Sequence, residues 1–110
     1  NEWKYKSGFE GVWNMNDMQK KFFKHIADIQ ETCVEICLSK HKKYNDNEAR
    51  AMLYNITYEF AVEIMEMIDG YSEYSHDKHD IINTVTGEHL KENPSIELHD
   101  QLDGIMKSKI

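Results

Sequence analysis

From residue 18 onward, apolar side chains recur at intervals of three and four: Met18, Phe22, Ile26, Ile29, Cys33, Ile36 and Cys37. That period predicts an amphipathic helix over 17–42. Asn16 or Asp17 serves as its N-cap, and Lys40, Lys42 and Lys43 complement the carbonyl end of its dipole. Its polar side carries Lys21, Lys24, Asp28, Glu31 and Glu35. A short polar link, Tyr44-Asn45-Asp46-Asn47, offers caps for a second helix over 47–69, which Gly70 closes as a C′ residue. With successive residues about 100° apart, Ile56, Phe60, Ile64, Met67 and Ile68 share one side of it, and Tyr54, Tyr58, Ala61 and Met65 the adjoining one. So wide an apolar arc predicts that this helix is the centre of the fold or meets a second subunit, and that its apolar sides are hidden. Two helices of about 36 Å each, joined by a short loop, predict an antiparallel hairpin that crosses the whole domain.

The remainder is less regular. Residues 1–15 place Trp3, Tyr5, Phe9 and Trp13 among Gly8 and Gly11 with no helical or strand period, which predicts an irregular arm whose aromatic side chains fold back onto the core. Residues 71–80 read as a polar loop. The β-branched run Ile81, Ile82, Thr84 and Val85, followed by Thr86-Gly87, allows a small β-hairpin over 81–91. Asn93-Pro94 is a helix-start signal, and Leu98, Leu102, Ile105 and Met106 supply the apolar stripe of a C-terminal helix over 94–108, weakened by Gly104. The expected fold is therefore mainly α: one helical domain over 1–110, made of a long antiparallel hairpin and a C-terminal helix.

Composition narrows the partners. The chain has 110 residues, 40% of them apolar and 30% charged, a balance that supports one folded core. Its net charge of -7, from 20 acidic against 13 basic residues, repels a phosphate backbone, so nucleic acid is not expected as a partner. A basic protein surface fits that charge better. No apolar run approaches the roughly 18 residues that cross a bilayer, so a membrane is not expected either. Cys33 and Cys37, four apart on the apolar stripe, read as reduced thiols that pack like small hydrophobes, which suits a cytoplasmic location.

Carboxylates form the first candidate constellation. Glu59, Glu63 and Glu66 share a helix face with Asp69 one turn on, and Mg²⁺ takes oxygen ligands gathered in this way. Glu63-x-x-Glu66 and Glu66-x-x-Asp69 resemble the strings with which all-α nucleotide pyrophosphohydrolases hold Mg²⁺, a resemblance that implies Glu63, Glu66 and Asp69 as metal ligands. Here, however, the two strings overlap on one helix where that family uses two. The structural alternative is that the stripe is the solvated edge of an amphipathic helix, with no cofactor. Histidines form the second constellation: His76, His79, His89 and His99 beside Asp77, Asp80 and Asp100. His79-Asp80 and His99-Asp100 resemble the metal-binding His-Asp doublet of a phosphohydrolase superfamily, whose site also needs a separate His and a distant Asp. His76-x-x-His79 alternatively has spacing for zinc if the loop folds back, and is otherwise a solvated loop. No nucleophile motif or Gly-rich phosphate loop is present.

These features lead to a non-catalytic interaction protein that binds a basic partner through Glu59, Glu63 and Glu66, one version being a small bacterial immunity- or antitoxin-like protein. The competing expectation is a divalent-metal-dependent enzyme of the nucleotide pyrophosphohydrolase kind. A third is homodimerisation through the broad apolar face of the second helix.

Overall fold

A computed structural model describes residues 14–44 and 46–109, together with the backbone of residues 3 and 4. The aromatic arm expected over 1–15 thus lies almost wholly outside the described residues. The element order is strand β1 (Trp3–Lys4), helix α1 (Asp17–Lys40), helix α2 (Asn47–Asp69) and strand β2 (Ser108–Lys109), with single 3-10 turns at Lys42–Tyr44 and His99–Gln101. β1 and β2 pair antiparallel, Trp3 opposite Lys109 and Lys4 opposite Ser108. Among the described residues, no helix is long and apolar enough to cross a membrane.

Local chemistry sets both helix starts and the end of α2. The Asn16 side chain accepts the Gln19 N–H at 2.8 Å while the Gln19 side chain accepts the Asn16 N–H at 2.9 Å, a reciprocal capping box. Asp46 caps α2 by accepting the Ala49 N–H at 2.8 Å. Gly70 ends α2 at φ +88°, and its N–H reaches the carbonyls of Glu66 and Met67. The two helices pack against each other as the expected hairpin, with Val34, Leu38 and Tyr54 forming a small core near the connection. The larger core lies at the other end, where Phe23 and Met65 meet Leu90, Leu98, Leu102 and Met106 from the C-terminal segment.

The face that α1 buries is not the expected one. Its buried residues are Gln19, Phe23, Gln30, Val34 and Leu38, whereas Ile29 and Ile36 are about half exposed and Cys33 is exposed. On α2 the buried positions are Tyr54, Met65 and Asp69, while Ile56 and Phe60 are exposed. The expectation that the apolar sides of α2 are hidden is therefore overturned on one side. The reason is polar: Gln19 and Gln30 enter the core because they bond the main chain of the C-terminal segment, and they rotate the apolar stripe of α1 partly out of it. The Gln19 amide donates to the carbonyls of Leu90, Glu92 and Pro94 at 2.9, 3.2 and 2.9 Å. Gln30 donates to the Lys107 carbonyl and accepts the Lys107 N–H, both at 2.8 Å, so a helix side chain pairs with passing chain as a neighbouring strand would.

The expected helix over 94–108 does not form. Pro94 follows a cis peptide bond, and the segment runs through turns, the 3-10 turn His99–Gln101 and a further turn at Gly104, which sits at φ +93°. Leu98, Leu102 and Met106 are buried as their spacing implied. Their main chain is held by isolated turns and by a bond to α2: the Leu102 carbonyl accepts from Ile105 and Met106 at 3.1 and 3.0 Å, and His99 donates to the Asp69 carboxylate at 2.9 Å. A left-handed residue at Gly104 then interrupts any α-helical run. The hairpin allowed over 81–91 shrinks to an isolated bridge between Ile82 and His89. Main-chain bonds from the Asn83 N–H to Glu88 and from the Leu90 N–H to Ile81, at 2.9 and 2.8 Å, flank that bridge. Side chains supplement them: Asn83 Oδ1 takes the N–H groups of Val85 and Thr86, and Asp80 Oδ1 those of Ile81 and Lys91.

Candidate functional site

The acidic stripe divides. Glu59 and Glu63 are exposed and Glu66 is half-buried, whereas Asp69 is only 1% exposed. Position around the helix explains the split: Asp69 stands one turn beyond Met65 on the core side, and the three glutamates follow Ile56 and Phe60 around the outer side. Glu59, Glu63 and Glu66 thus edge an exposed apolar surface.

That surface is one wall of a groove of about 370 Å³ between the helices. Ile26, Ile29 and Cys33 of α1 form the other wall, and Ile56, Phe60 and Ile64 face them from α2. Gln30, Thr57, Met65 and Met106 form the floor. Its polar floor atoms are occupied. Thr57 Oγ1 donates to the Leu53 carbonyl at 2.8 Å and accepts from Gln30 at 3.0 Å, and Gln30 is otherwise engaged with Lys107. Phe60 at 68% exposure and Ile56 and Met52 at 57% form a cluster of large apolar side chains on one helix.

Asp69 anchors a separate buried ion network. Its carboxylate meets the Lys91 ammonium at 2.7 Å, the His99 ring Nδ1 at 2.7 Å and the His99 N–H at 2.9 Å. Burial pushes the Asp69 carboxyl up, but the Lys91 ammonium and the hydrogen bonds from His99 outweigh it and hold the group below its ordinary range. Lys91 also lies 3.5 Å from Glu97, which Lys78 pairs from outside at 2.9 Å. The Lys78 hydrogen bond is the main cause that holds the Glu97 carboxyl below its usual range. Tyr71 packs edge-on against the His99 ring at 5.0 Å.

Among the described residues, two groups of side chains lie close enough to share a cation: Asp69, Glu97 and His99, and Asp80, His89 and Glu92. Neither contains Glu63 or Glu66, and neither contains His76 or His79. In the first, the Lys91 ammonium already sits between the two carboxylates as the resident cation. In the second, Asp80 braces the 80–91 turn through two N–H groups and the His89 ring at 3.0 Å. His76 is exposed, and His79 donates its N–H to the Ile68 carbonyl at 2.7 Å beside Gly70. The adjoining polar cleft, about 350 Å³, is lined in part by Lys78, Asp80, Lys91, Glu92 and Glu97, and both of these lysines pair with Glu97.

The roles of Lys91, Glu97 and His99 around Asp69 escaped the pattern along the chain. One signal was available: on the helical wheel, Asp69 falls with Tyr58 and Met65 and away from Glu59 and Glu63. A carboxylate on a core face requires a cationic partner. Comparison with protein-family models, with curated proteins and with solved structures found no match to this chain.

Proposed function

We propose that this chain is a non-catalytic protein-binding domain, which engages a basic partner through the acid-edged outer side of α2. An immunity- or antitoxin-like protein that masks a cationic protein is one form of such a domain. The observation that supports it most is the juxtaposition of exposed Ile56 and Phe60 with exposed Glu59 and Glu63 on one helix. Contiguous exposed apolar surface bordered by charge is the usual composition of an interaction site, where the apolar part supplies affinity and the charged border selects the partner and speeds encounter. The net charge of -7 acts in the same direction at longer range.

The test is capture from a lysate of the native host, with bound proteins identified by mass spectrometry. A basic protein should be retained, released as salt rises, and lost at least tenfold on Glu59→Lys combined with Glu63→Lys. Both glutamates are exposed, so circular dichroism of that variant should match the parent. Retention indifferent to both salt and charge reversal refutes the proposal.

A further inference from the structure

Resting on the protein-binding proposal above, we infer that the groove between α1 and α2 receives one amphipathic α-helix, with an apolar face flanked by lysine or arginine. Three observations carry this. The first is what the groove cannot offer. Both walls are helices whose backbone groups are bonded internally, and the floor atoms of Gln30 and Thr57 are already engaged. An extended peptide would bury N–H and C=O groups with nothing to receive them, whereas a helix satisfies its own backbone.

The second is dimension. Ile26 to Cys33 covers about 10 Å along α1, and Ile56 to Ile64 about 12 Å along α2. That length matches two to three turns of a partner helix whose anchors recur at three- and four-residue spacing. The third is charge. Glu59 and Glu63 border the α2 wall and are exposed, whereas the outer side of α1 beyond Ile29 exposes Lys21, His25, Asp28 and Thr32, among which one acid is offset by one lysine. Acid thus lines the α2 side of the groove, and cations beside the apolar face of the incoming helix meet these carboxylates there. A second copy of this chain, docked by a two-fold through the same groove, would instead bring an identical pair of carboxylates to the interface.

The probe is an 18-residue labelled peptide of leucine and lysine, with leucines at i, i+3, i+4 and i+7, followed by fluorescence anisotropy in 150 mM salt. Three comparisons are run: glutamate in place of lysine, a central proline, and protein variants Phe60→Asp and Val85→Asp. Saturable one-to-one binding is expected, weakened at least tenfold by glutamate, by proline and by Phe60→Asp. Val85, 92% exposed in a distant turn, should have no effect. Binding that ignores Phe60→Asp or tolerates the proline overturns the inference. So does a dimer in sedimentation that Phe60→Asp dissociates, since the occupant is then a second copy. The only tryptophans are Trp3 and Trp13. A shift of their emission on Phe60→Asp in the free protein would assign the groove to the chain's own first residues and overturn it likewise. If charge reversal at Glu59 and Glu63 abolishes capture of a basic partner while Phe60→Asp leaves peptide binding intact, the groove inference fails and the protein-binding proposal stands. If neither variant has an effect, both fall.

Discussion

Replacing Asp69 by asparagine tests the buried ion network directly. The carboxamide nearly matches the carboxylate in shape and retains an acceptor for the His99 N–H, so the change is chiefly one of charge. The Lys91 side chain, 11% exposed, then loses its partner at 2.7 Å and keeps only Glu97 at 3.5 Å. Removing one member of a buried pair typically costs about 3–5 kcal/mol. Residual exposure of Lys91 and the neighbouring Glu97 place the cost near the lower end, about 3 kcal/mol. An unfolding entropy of about 2 cal/mol/K per residue converts that to a fall of roughly 13 °C in Tm.

The assay is thermal denaturation followed at 222 nm near pH 7, with Asp69→Asn, Lys91→Met and the double variant. Lys91→Met in the Asp69→Asn background should restore about 1–2 kcal/mol, because no charge is then left buried alone. The sign with pH follows from the Asp69 shift. Its folded pKa lies below the ordinary 3.8, so between these values the unfolded chain binds more protons. The stabilisation is therefore complete well above pH 3.8 and is lost as pH falls through the folded value. The gap between wild type and Asp69→Asn should close in the same interval. A loss below about 1 kcal/mol at pH 7, or no recovery in the double variant, refutes the reasoning.

Two further outcomes follow from the main chain. Gly70→Ala should lower stability by about 2 kcal/mol or more, since a left-handed alanine costs roughly 1–2 kcal/mol and its Cβ would lie 2.8 Å from the Asp77 carbonyl oxygen. A chemical denaturation midpoint equal to wild type would contradict that. Gln30→Leu should cost about 1–3 kcal/mol by removing the two hydrogen bonds from its side chain to the Lys107 main chain, and hydrogen exchange at Lys107 should accelerate while amides in the middle of α2 remain protected. Uniform acceleration over the whole chain would show that Gln30 supports the global fold and not the C-terminal segment alone.

The N-caps were narrowed to Asn16 or Asp17 and to the 44–47 link, from which the structure selects Asn16 and Asp46. The two helices and the Gly70 stop were legible because each rests on residues close together in the chain. Which face of each helix is buried was not. α1 carries two adjoining stripes, one through Ile26, Ile29, Cys33 and Ile36, the other through Phe23, Val34 and Leu38, and hydrophobicity alone ranks the first higher. Two glutamines decide for the second, and their partners lie more than 70 residues away in the chain. The C-terminal helix failed for a related reason: Leu98, Leu102 and Met106 have helical spacing, but contacts with Asp69, Gln19 and Gln30 supply what an isolated helix would have supplied itself. Of the candidate site, Glu59 and Glu63 stand apart from the core on the helical pattern alone, and Asp69 was grouped with them because it shares their charge, not their side of the helix.

The two-glutamine clamp has a consequence for the order in which the molecule takes shape. Residues 71–107 contain no regular element longer than a single turn, and their main chain is held in part by Gln19 and Gln30 of α1 and Asp69 of α2. The hairpin presents these groups, and the remaining chain is cast against it. A lesion that loosens the hairpin therefore dissolves both halves, whereas one confined to the casting leaves a helical remnant with its mould exposed.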